Sequence, residues 1–263
     1  MKITTLIENY AIDRGILAEH GLSMYIETYL KDGSVDKRIL FDTGQTGAFI
    51  QNAKKLGVET EKIDCVIISH GHYDHGGGLS VFLKINKNAK VYLKKESLDP
   101  KYDSKKGIIS FIPDVDLMEG RVIEVSEIMR VGESLYILPD IEIVNKEDTG
   151  LIGRDEFPDE LFLTAVHNQK LIVLSSCSHR GITNIANSAV THFKLPVKSI
   201  IGGFHTINDS GNRVDFIIEK LKSYEPESLG ICHCTGIEQY SKIKTSLPET
   251  IVFYNYSGKI TNF

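Results

Sequence analysis

A chain of 263 residues is long enough to bury a full hydrophobic core, as one large α/β domain or as two small ones. Its composition, with 41% hydrophobic and 25% charged residues, is that of an ordinary soluble globular protein. A formal net charge of −5 argues against a basic surface for nucleic acid, and short basic pairs such as Lys105-Lys106 indicate solvated faces.

The residues near the amino terminus and the cysteines predict a cytoplasmic protein. The first eight residues lack the apolar core of a signal peptide, and no apolar run approaches the length of a membrane span. The cysteines do not have the spacing of a secreted disulfide framework, so we expect reduced thiols at Cys65, Cys177, Cys232 and Cys234. Cys65 is expected to fill space in a buried strand.

The first 44 residues alternate between apolar and polar positions in the manner of antiparallel strands. Strands are predicted at 2–8, 21–30 and 37–41, and the Asp32-Gly33 pair between the last two indicates a hairpin. A helix is then expected from about 46 to 56, closed by Gly57. Asp42 therefore lies at a corner between strand and helix, where a carboxylate can cap the helix.

The most informative stretch runs from Asp64 to Gly78. An apolar β-branched run, typical of a buried strand, ends at Ser69, and three imidazoles and a carboxylate follow within six positions: His70, His72, Asp74 and His75. Burying such polar groups without partners would cost several kcal/mol, and a metal ion bound by them would offset this cost. The spacing therefore predicts a metal site, and these nitrogen and oxygen ligands suit Zn²⁺, with Mn²⁺ or iron as alternatives.

The segment from Ser69 to Gly78 resembles the signature loop of the metallo-β-lactamase superfamily. This resemblance implies an α/β fold, an αββα four-layer sandwich with a metal pair at one edge, formed by residues 1–263 as a single domain. It also implies that Asp42 holds the metal-binding loop by hydrogen bonds and is not itself a ligand.

After this loop the pattern predicts a short helix at 79–85 and a strand at 89–93. Residues 95–120 are rich in polar residues, glycine and proline, and we expect an irregular active-site loop there. This loop either is simply solvated or contacts an anionic substrate through Lys101, Tyr102, Lys105 and Lys106. Further strands are predicted at 121–125, 133–138, 160–166 and 170–176.

Four buried strands end in a corner that carries histidine or cysteine. The corners follow the apolar runs 66–68, 171–174, 199–204 and 228–231, and the last three open helices at about 182–192, 214–224 and 237–247. Because sites in open α/β sheets form at the carboxyl ends of strands, we expect the four corners to meet at one edge.

The nine histidines can be sorted by their distance from these corners. His167 begins the strand that His179 follows, and at roughly 3.3 Å per strand residue the two lie about 20–30 Å apart. His167 is therefore not expected to be a ligand if His179 is one. His20 and His192 follow no such corner and are expected on the surface or in a helix.

Two metal ions with three protein ligands each and open positions for water would use most of the remaining histidines. We assign His70, His72 and His179 to one ion. We assign Asp74, His75 and His233 to the other. This departs from the superfamily pattern, in which one histidine comes from an earlier hairpin and a bridging Asp or a Cys stands at the corner of Cys177. Cys177 is thus either the substitute ligand or a small buried thiol, and the second ion can be weakly bound or missing.

The four corners together resemble one branch of the superfamily more closely. The segments Ser69–His75, Cys177–Ile182, Gly202–His205 and His233–Gly236 are similar to archaeal and bacterial proteins named as dihydropterin synthases of methanopterin biosynthesis. The resemblance extends over about residues 1–260 and supports the family more strongly than the substrate.

The leading functional hypothesis is a metal-dependent hydrolase of a small anionic substrate, with a metal-activated water. Asp74 would be a ligand and orient the water, His205 or Tyr73 would protonate the leaving group, and Arg180 would bind a phosphate or carboxylate. His205 can instead be a ligand or a structural residue. The alternatives are a dihydropterin synthase-like transferase, a diiron oxidoreductase and a non-catalytic metal-dependent binding protein. Since diiron relatives usually carry Glu where this chain has His72, this histidine favours the hydrolase over the diiron oxidoreductase. No nucleic-acid or membrane partner is expected, and a homodimer is possible.

Overall fold

The computed structural model describes residues 1–151, 155–209 and 211–263, which form two seven-stranded sheets and a small hairpin. In chain order the strands are β1 (Lys2–Ile7), β2 (Ser23–Tyr29), β3 (Val35–Phe41), β4 (Cys65–Ile67), β5 (Lys90–Leu93), β6 (Tyr102–Asp103), β7 (Gly107–Ile108), β8 (Val122–Glu124), β9 (Met129–Arg130), β10 (Leu135–Leu138), β11 (Phe162–His167), β12 (Lys170–Leu174), β13 (Val197–Gly202), β14 (Ser228–Ile231), β15 (Ile251–Tyr254) and β16 (Ile260–Asn262). The helices are α1 (Ala48–Lys55), α2 (Tyr73–Gly76), α3 (Leu79–Ile85), α4 (Val115–Met118), α5 (Ile182–Phe193), α6 (Gly211–Tyr224) and α7 (Ile237–Ser246).

The order of strands in each sheet follows from the length of the connections. The first sheet has the order β16-β1-β2-β3-β4-β5-β8, and the second has the order β15-β14-β13-β12-β11-β10-β9. Short turns join the antiparallel neighbours β2 and β3 as well as β11 and β12. Helical crossovers join β12, β13, β14 and β15, which are parallel. The carboxyl ends of these parallel strands therefore lie at one edge.

Three hydrophobic clusters show how the sheets and helices are layered. Between the sheets, Phe41 and Ile67 of the first sheet belong to the same cluster as Leu163 and Ile201 of the second. Residues of α1 and α3 pack on the outer face of the first sheet, and residues of α5, α6 and α7 pack on the outer face of the second. The predicted αββα four-layer sandwich is confirmed.

Strand β4 shows why the chain before the histidine loop is apolar at every position. Cys65 and Ile67 face the second sheet, whereas Val66 faces the helices on the outer side. Both faces of a strand in the parallel part of such a sheet are covered, so a continuous apolar run is expected. The predicted space-filling role of Cys65 is confirmed.

The predicted helices are confirmed with small shifts at their ends, and the segment 95–120 is less irregular than expected. It contains a 3₁₀ turn at Lys95–Leu98, the hairpin β6–β7 and the helix α4. The predicted strand at 133–138 is found as β10, preceded by the short strand β9. Within the described ranges, no helix combines the length and the apolar character needed to cross a membrane.

The loop between β1 and β2 is attached to helix α1 by one buried amide. The Asn52 side chain donates to the carbonyl oxygens of Leu6 and Leu17, at 2.7 and 2.8 Å, and accepts from the Leu17 N–H at 2.8 Å. This loop carries His20 and approaches the histidine motif, since the Leu22 N–H donates to the Asp74 carbonyl oxygen. Asn52 thus helps to position the edge where the strands end.

Replacing Asn52 with alanine is expected to lower the free energy of unfolding by about 3 kcal/mol. The variant loses three hydrogen bonds of about 1 kcal/mol each and leaves buried backbone groups unpaired. Gln51→Ala is the matched control, because Gln51 is an exposed amide on the same helix and should change stability by less than about 0.5 kcal/mol. Chemical denaturation of both variants would measure the difference, and equal effects would contradict this role of Asn52.

Candidate metal centre

The corners predicted from the sequence meet at one edge of the sandwich. His70 lies three residues after the end of β4, and His179, His205 and His233 follow β12, β13 and β14. The ring centroids of His70 and His179 are 5.0 Å apart although the two residues belong to different sheets. The edge therefore collects polar side chains from both halves of the chain.

His70, His72 and His179 form a histidine cluster in which one ring nitrogen of each lies within 4.8 Å of the others. All three side chains are buried. Their Nε2 atoms have no hydrogen-bond partner in the described part of the chain. Buried nitrogens without partners are costly, and an ion held by all three would satisfy them together. The histidine cluster thus fits a metal ion.

Hydrogen bonds at Nδ1 orient two rings of this cluster, those of His70 and His179. Ser69 Oγ donates to Asp42, so it accepts from His70 Nδ1, which lies 2.8 Å away. His179 Nδ1 donates to the Gly150 carbonyl oxygen at 3.1 Å. With the proton on Nδ1, the lone pair of each ring is on Nε2, as a metal ligand requires.

The protonation of the histidine cluster is set mainly by burial. Burial and the neighbouring imidazoles hold the pKa of His70 and of His179 well below the ordinary value. Burial lowers the pKa of His72 to about 3. The three rings are therefore neutral at neutral pH, which is the form that binds a metal.

Asp42 is a fully buried carboxylate that holds the histidine loop to both sheets. Its Oδ1 accepts from the Ser69 N–H at 2.7 Å, and its Oδ2 accepts from Ser69 Oγ at 2.7 Å and from His75 Nδ1 at 2.8 Å. Ser176, which follows β12 in the other sheet, also donates to Oδ2. Burial lowers the pKa of His75, but Asp74 and Asp42 raise it to about 9. Asp42 thus lies in the supporting position that the superfamily resemblance implied.

A second group surrounds the Asp74 carboxylate, and His20 belongs to it. Asp74 Oδ2 lies 3.2 Å from His20 Nε2, 3.4 Å from His233 Nε2 and 3.6 Å from His75 Nε2. His20 is exposed, as the sequence analysis expected, but its place beside Asp74 was not predicted. No strand end precedes His20, and it reaches the edge because the loop between β1 and β2 folds back over Asp74.

The second set of ligands assigned from the sequence comes together around Asp74, because His75 Nε2 and His233 Nε2 both lie close to its Oδ2. Asp74 and His233 also form a group with His20, and His75 forms a further group with His70 and Cys177. Cys177 Sγ lies 3.2 Å from His75 Nε2. A thiol therefore lies beside the histidine loop, at the corner for which the superfamily resemblance implied a bridging Asp or a Cys.

Sequence reasoning missed the residues that orient His233. Glu8 is buried and accepts from the His233 N–H at 2.6 Å, and Asn9 Oδ1 accepts from His233 Nδ1 at 3.0 Å. Burial raises the pKa of Glu8. The signal for both residues was a polar pair directly after the apolar strand β1, the same pattern that identified the other corners.

A cavity of about 380 Å³ opens beside the clusters. Its lining includes residues of the histidine loop, of the strand ends and of the β6–β7 hairpin: His72, Tyr73, Asp74, Lys105, Lys106, Cys177, His205, Asn208, His233 and Cys234. The segment after this hairpin is bound to the histidine loop, since the Tyr73 N–H donates to the Ile109 carbonyl oxygen at 2.9 Å. The loop predicted at 95–120 thus covers the candidate site.

Two predicted substrate contacts are not found at this cavity. The Arg180 guanidinium donates to the carbonyl oxygens of Ile141 and Glu156 and lines a separate cleft. Lys101 is held in buried ion pairs with Asp155 and Asp159, each at 2.8 Å. The structure thus places both cations outside the cavity, where backbone or carboxylate oxygens bind them.

The remaining histidines lie where the sequence placed them. His167 ends β11 and pairs with Lys170 at the start of β12, so it lies at the end of that strand opposite to His179. His192 is exposed in helix α5.

Comparison with known proteins agrees with this geometry. The family model described as the metallo-β-lactamase superfamily matches residues 20–166, which is more than half of the chain. The chain belongs to this superfamily. A solved relative, the crystal structure of a metal-dependent hydrolase of the β-lactamase superfamily, is 30% identical with a TM-score of 0.83, and the match covers 100% of this chain and 99% of that one.

Two curated proteins of Methanocaldococcus jannaschii are also similar to this superfamily member. One is 7,8-dihydropterin-6-methyl-4-(beta-D-ribofuranosyl)-aminobenzene-5'-phosphate synthase, which is 28% identical over 100% of this chain and 97% of its own length. The other is an uncharacterized protein that is 30% identical over 98% of each chain. The family and its fold are thus clear, whereas the reactions named among these relatives differ.

Replacing His72 with alanine is expected to weaken metal binding at least about tenfold, because the histidine cluster loses one of its three nitrogens. Metal analysis of protein purified without added metal, followed by competition with a chelator, would measure this. His192→Ala removes an exposed imidazole from α5 and should bind metal as the unaltered protein does. A His72→Ala protein with unchanged metal content and affinity would show that the cluster is not a metal site.

Proposed function

We propose that this protein is a metal-dependent hydrolase that acts on a small anionic substrate. The proposal rests on the histidine cluster, whose three buried Nε2 atoms have no hydrogen-bond partner among the described residues. The cluster lies next to a cavity of about 380 Å³. Membership of the metallo-β-lactamase superfamily and the hydrolase among its solved relatives support the same reaction class.

The metal would be held by His70, His72 and His179, with Asp74 and His233 as ligands for a second ion. Neutral imidazoles suit Zn²⁺, and Mn²⁺ or iron are alternatives. A bound ion of this kind supplies a water of lowered pKa and polarises the group to be cleaved.

The protein side chains would orient the reactants and move the proton. Burial raises the pKa of the Asp74 carboxyl, but three neighbouring imidazoles outweigh this effect and hold it well below the ordinary value: those of His75, His20 and His233. This carboxylate is therefore an ionised acceptor that can orient a water. The phenol of Tyr73 and the imidazole of His205 both line the cavity. Either group is placed to give a proton to the leaving group.

The preference for an anion rests on the loop that covers the cavity. Lys105 and Lys106 line it, and the part of the lining formed by Asn9 and Asn208 offers amide groups for hydrogen bonds. A cavity of this volume accepts a metabolite-sized molecule rather than a polymer. We therefore propose a small phosphate or carboxylate ester, lactone or thioester as the substrate class.

A second candidate is a synthase of the dihydropterin type, favoured by the full-length similarity to the Methanocaldococcus jannaschii enzyme. The same residues would then hold a metal that binds a phosphate leaving group or activates an alcohol. The two candidates share the site and differ in whether water or a second organic substrate attacks.

A panel of assays on metal-loaded protein separates these candidates. We expect hydrolysis of an anionic phosphodiester, lactone or thioester, and loss of that activity on removal of the metal by a chelator and its return on reloading. Condensation of a dihydropterin with an aryl amine, without hydrolysis, would support the synthase instead. A metal-loaded protein that turned over no member of either group would contradict both.

Tyr73→Phe is expected to lower kcat about 100- to 10,000-fold with little change in KM, if the phenol is the proton donor. Tyr102→Phe is the control, because Tyr102 is exposed in β6 and should leave both constants unchanged. Steady-state kinetics on the best substrate of the panel would compare them, with metal content measured in parallel. If kcat were retained in Tyr73→Phe, the proton would have to come from another group.

A further inference from the structure

Each of three neighbouring strands in the second sheet is followed, three residues after its end, by a residue with a sulfur or nitrogen donor atom. Cys177, His205 and Cys234 lie three residues after the last residues of β12, β13 and β14. These strands are parallel neighbours in consecutive register, with Leu174 opposite Ile201 and Gly202 opposite Ile231. Since such strands are about 4.8 Å apart, the three side chains are brought to one point of the edge.

These three side chains form what we call the sulfur cluster. The two Sγ atoms and one ring nitrogen of His205 all lie within 4.8 Å of one another. Both thiols are buried, and His205 Nδ1 is a buried nitrogen with no hydrogen-bond partner in residues 1–151, 155–209 and 211–263. His205 thus carries an unpaired buried ring nitrogen, as the residues of the histidine cluster do.

Two glycines approach the sulfur cluster too closely to carry a side chain. A Cβ atom on Gly203 would lie 2.6 Å from Cys234 Sγ and 2.8 Å from the Ser176 carbonyl oxygen. A Cβ atom on Gly150 would lie 2.6 Å from His205 Cδ2. Only glycine at these two positions allows the thiol and the imidazole to take up their places.

The other two cysteines show what a thiol used only for packing looks like here. Cys65 and Cys232 are buried in the core between the sheets. Cys177 and Cys234 instead line the cavity, together with His205. A group of two thiols and one imidazole that opens to a cavity matches the three protein ligands and one open position of zinc sites with sulfur.

We propose that Cys177, His205 and Cys234 bind a thiophilic divalent ion such as Zn²⁺, in a site next to the histidine cluster. The two sites adjoin, because the rings of His205 and His179 are 4.1 Å apart at their centroids. With His205 as a ligand, Tyr73 remains of the two proton donors proposed above. The proposal does not depend on which reaction the protein catalyses.

Titration of the metal-free protein with Co²⁺ tests the site directly. Thiolate ligands give a near-ultraviolet sulfur-to-cobalt absorption, and two thiolates should give about twice the intensity of one. We expect this absorption in the unaltered protein, about half of it in Cys177→Ser or in Cys234→Ser, and none in the double variant. Cys65→Ala is the matched control, since it removes a buried thiol from the core and should leave the absorption unchanged.

A further variant separates the two sites. His72→Ala should bind one ion fewer per chain and keep the sulfur-to-cobalt absorption, because the sulfur cluster is intact. If every hydrolysis and condensation assay failed while this absorption was present, the proposed function would be contradicted and the sulfur site would still be supported.

Three outcomes would overturn the proposal: no sulfur-to-cobalt absorption in the unaltered protein, full absorption in both cysteine variants, or a Cys177–Cys234 disulfide found by mass spectrometry of protein kept under reducing conditions. If the cysteine variants do not fold, cadmium NMR on the unaltered protein decides instead. The shift of a ligand set with two sulfurs supports the site, and a shift typical of nitrogen and oxygen ligands alone contradicts it.

Discussion

The buried carboxylate of Asp42 is the interaction on which the site depends. It accepts hydrogen bonds from Ser69 and His75 of the histidine loop and from Ser176 of the second sheet, so it joins the strand ends of both halves of the sandwich. A buried charge is tolerated only when its hydrogen bonds are complete, and removal of one partner commonly costs about 3–5 kcal/mol. The two sheets therefore cannot shift relative to each other at this edge without leaving Asp42 unsatisfied, and the positions of the metal-binding side chains are set before any ligand binds.

The corners around Asp42 are also conformationally demanding. Asp42, Ser178, His205 and His233 all have positive φ angles, between 50° and 59°. The left-handed conformation costs a residue other than glycine about 1–2 kcal/mol, and such residues concentrate at functional sites. Here each one turns the chain abruptly at a strand end, so that the side chains that follow face the shared edge. The hydrogen bonds that Asp42 accepts, and the one that Glu8 accepts from the His233 N–H, hold the turns at Asp42 and His233 in place.

Donor chemistry changes along the edge over a few ångströms. At one end the three imidazoles of the histidine cluster face one another, and at the other the Asp74 carboxylate lies between His20 and His233. Cys177 lies between these two groups, beside His75. Hard oxygen, borderline nitrogen and soft sulfur ligands are thus offered side by side, and these ligand types prefer different metals. Superfamily membership accounts for the fold and for the position of the edge. The combination of donors bears most directly on which metal each group of side chains can hold.

Local patterns in the sequence predicted the buried strands, the histidine loop and the strand-end corners, and the superfamily resemblance of that loop implied the sandwich. A buried strand such as β4 is apolar on both faces, and a polar run such as His70 to His75 cannot be buried without a ligand, so both can be recognised from neighbouring residues alone. The tertiary structure decided the rest. His20 reaches Asp74 because a loop held by Asn52 folds over it, and Arg180 turns away because nearby carbonyl oxygens bind its guanidinium. These contacts join residues distant in the chain, and they depend on how packed layers bring loops together, which no local pattern of hydrophobicity encodes.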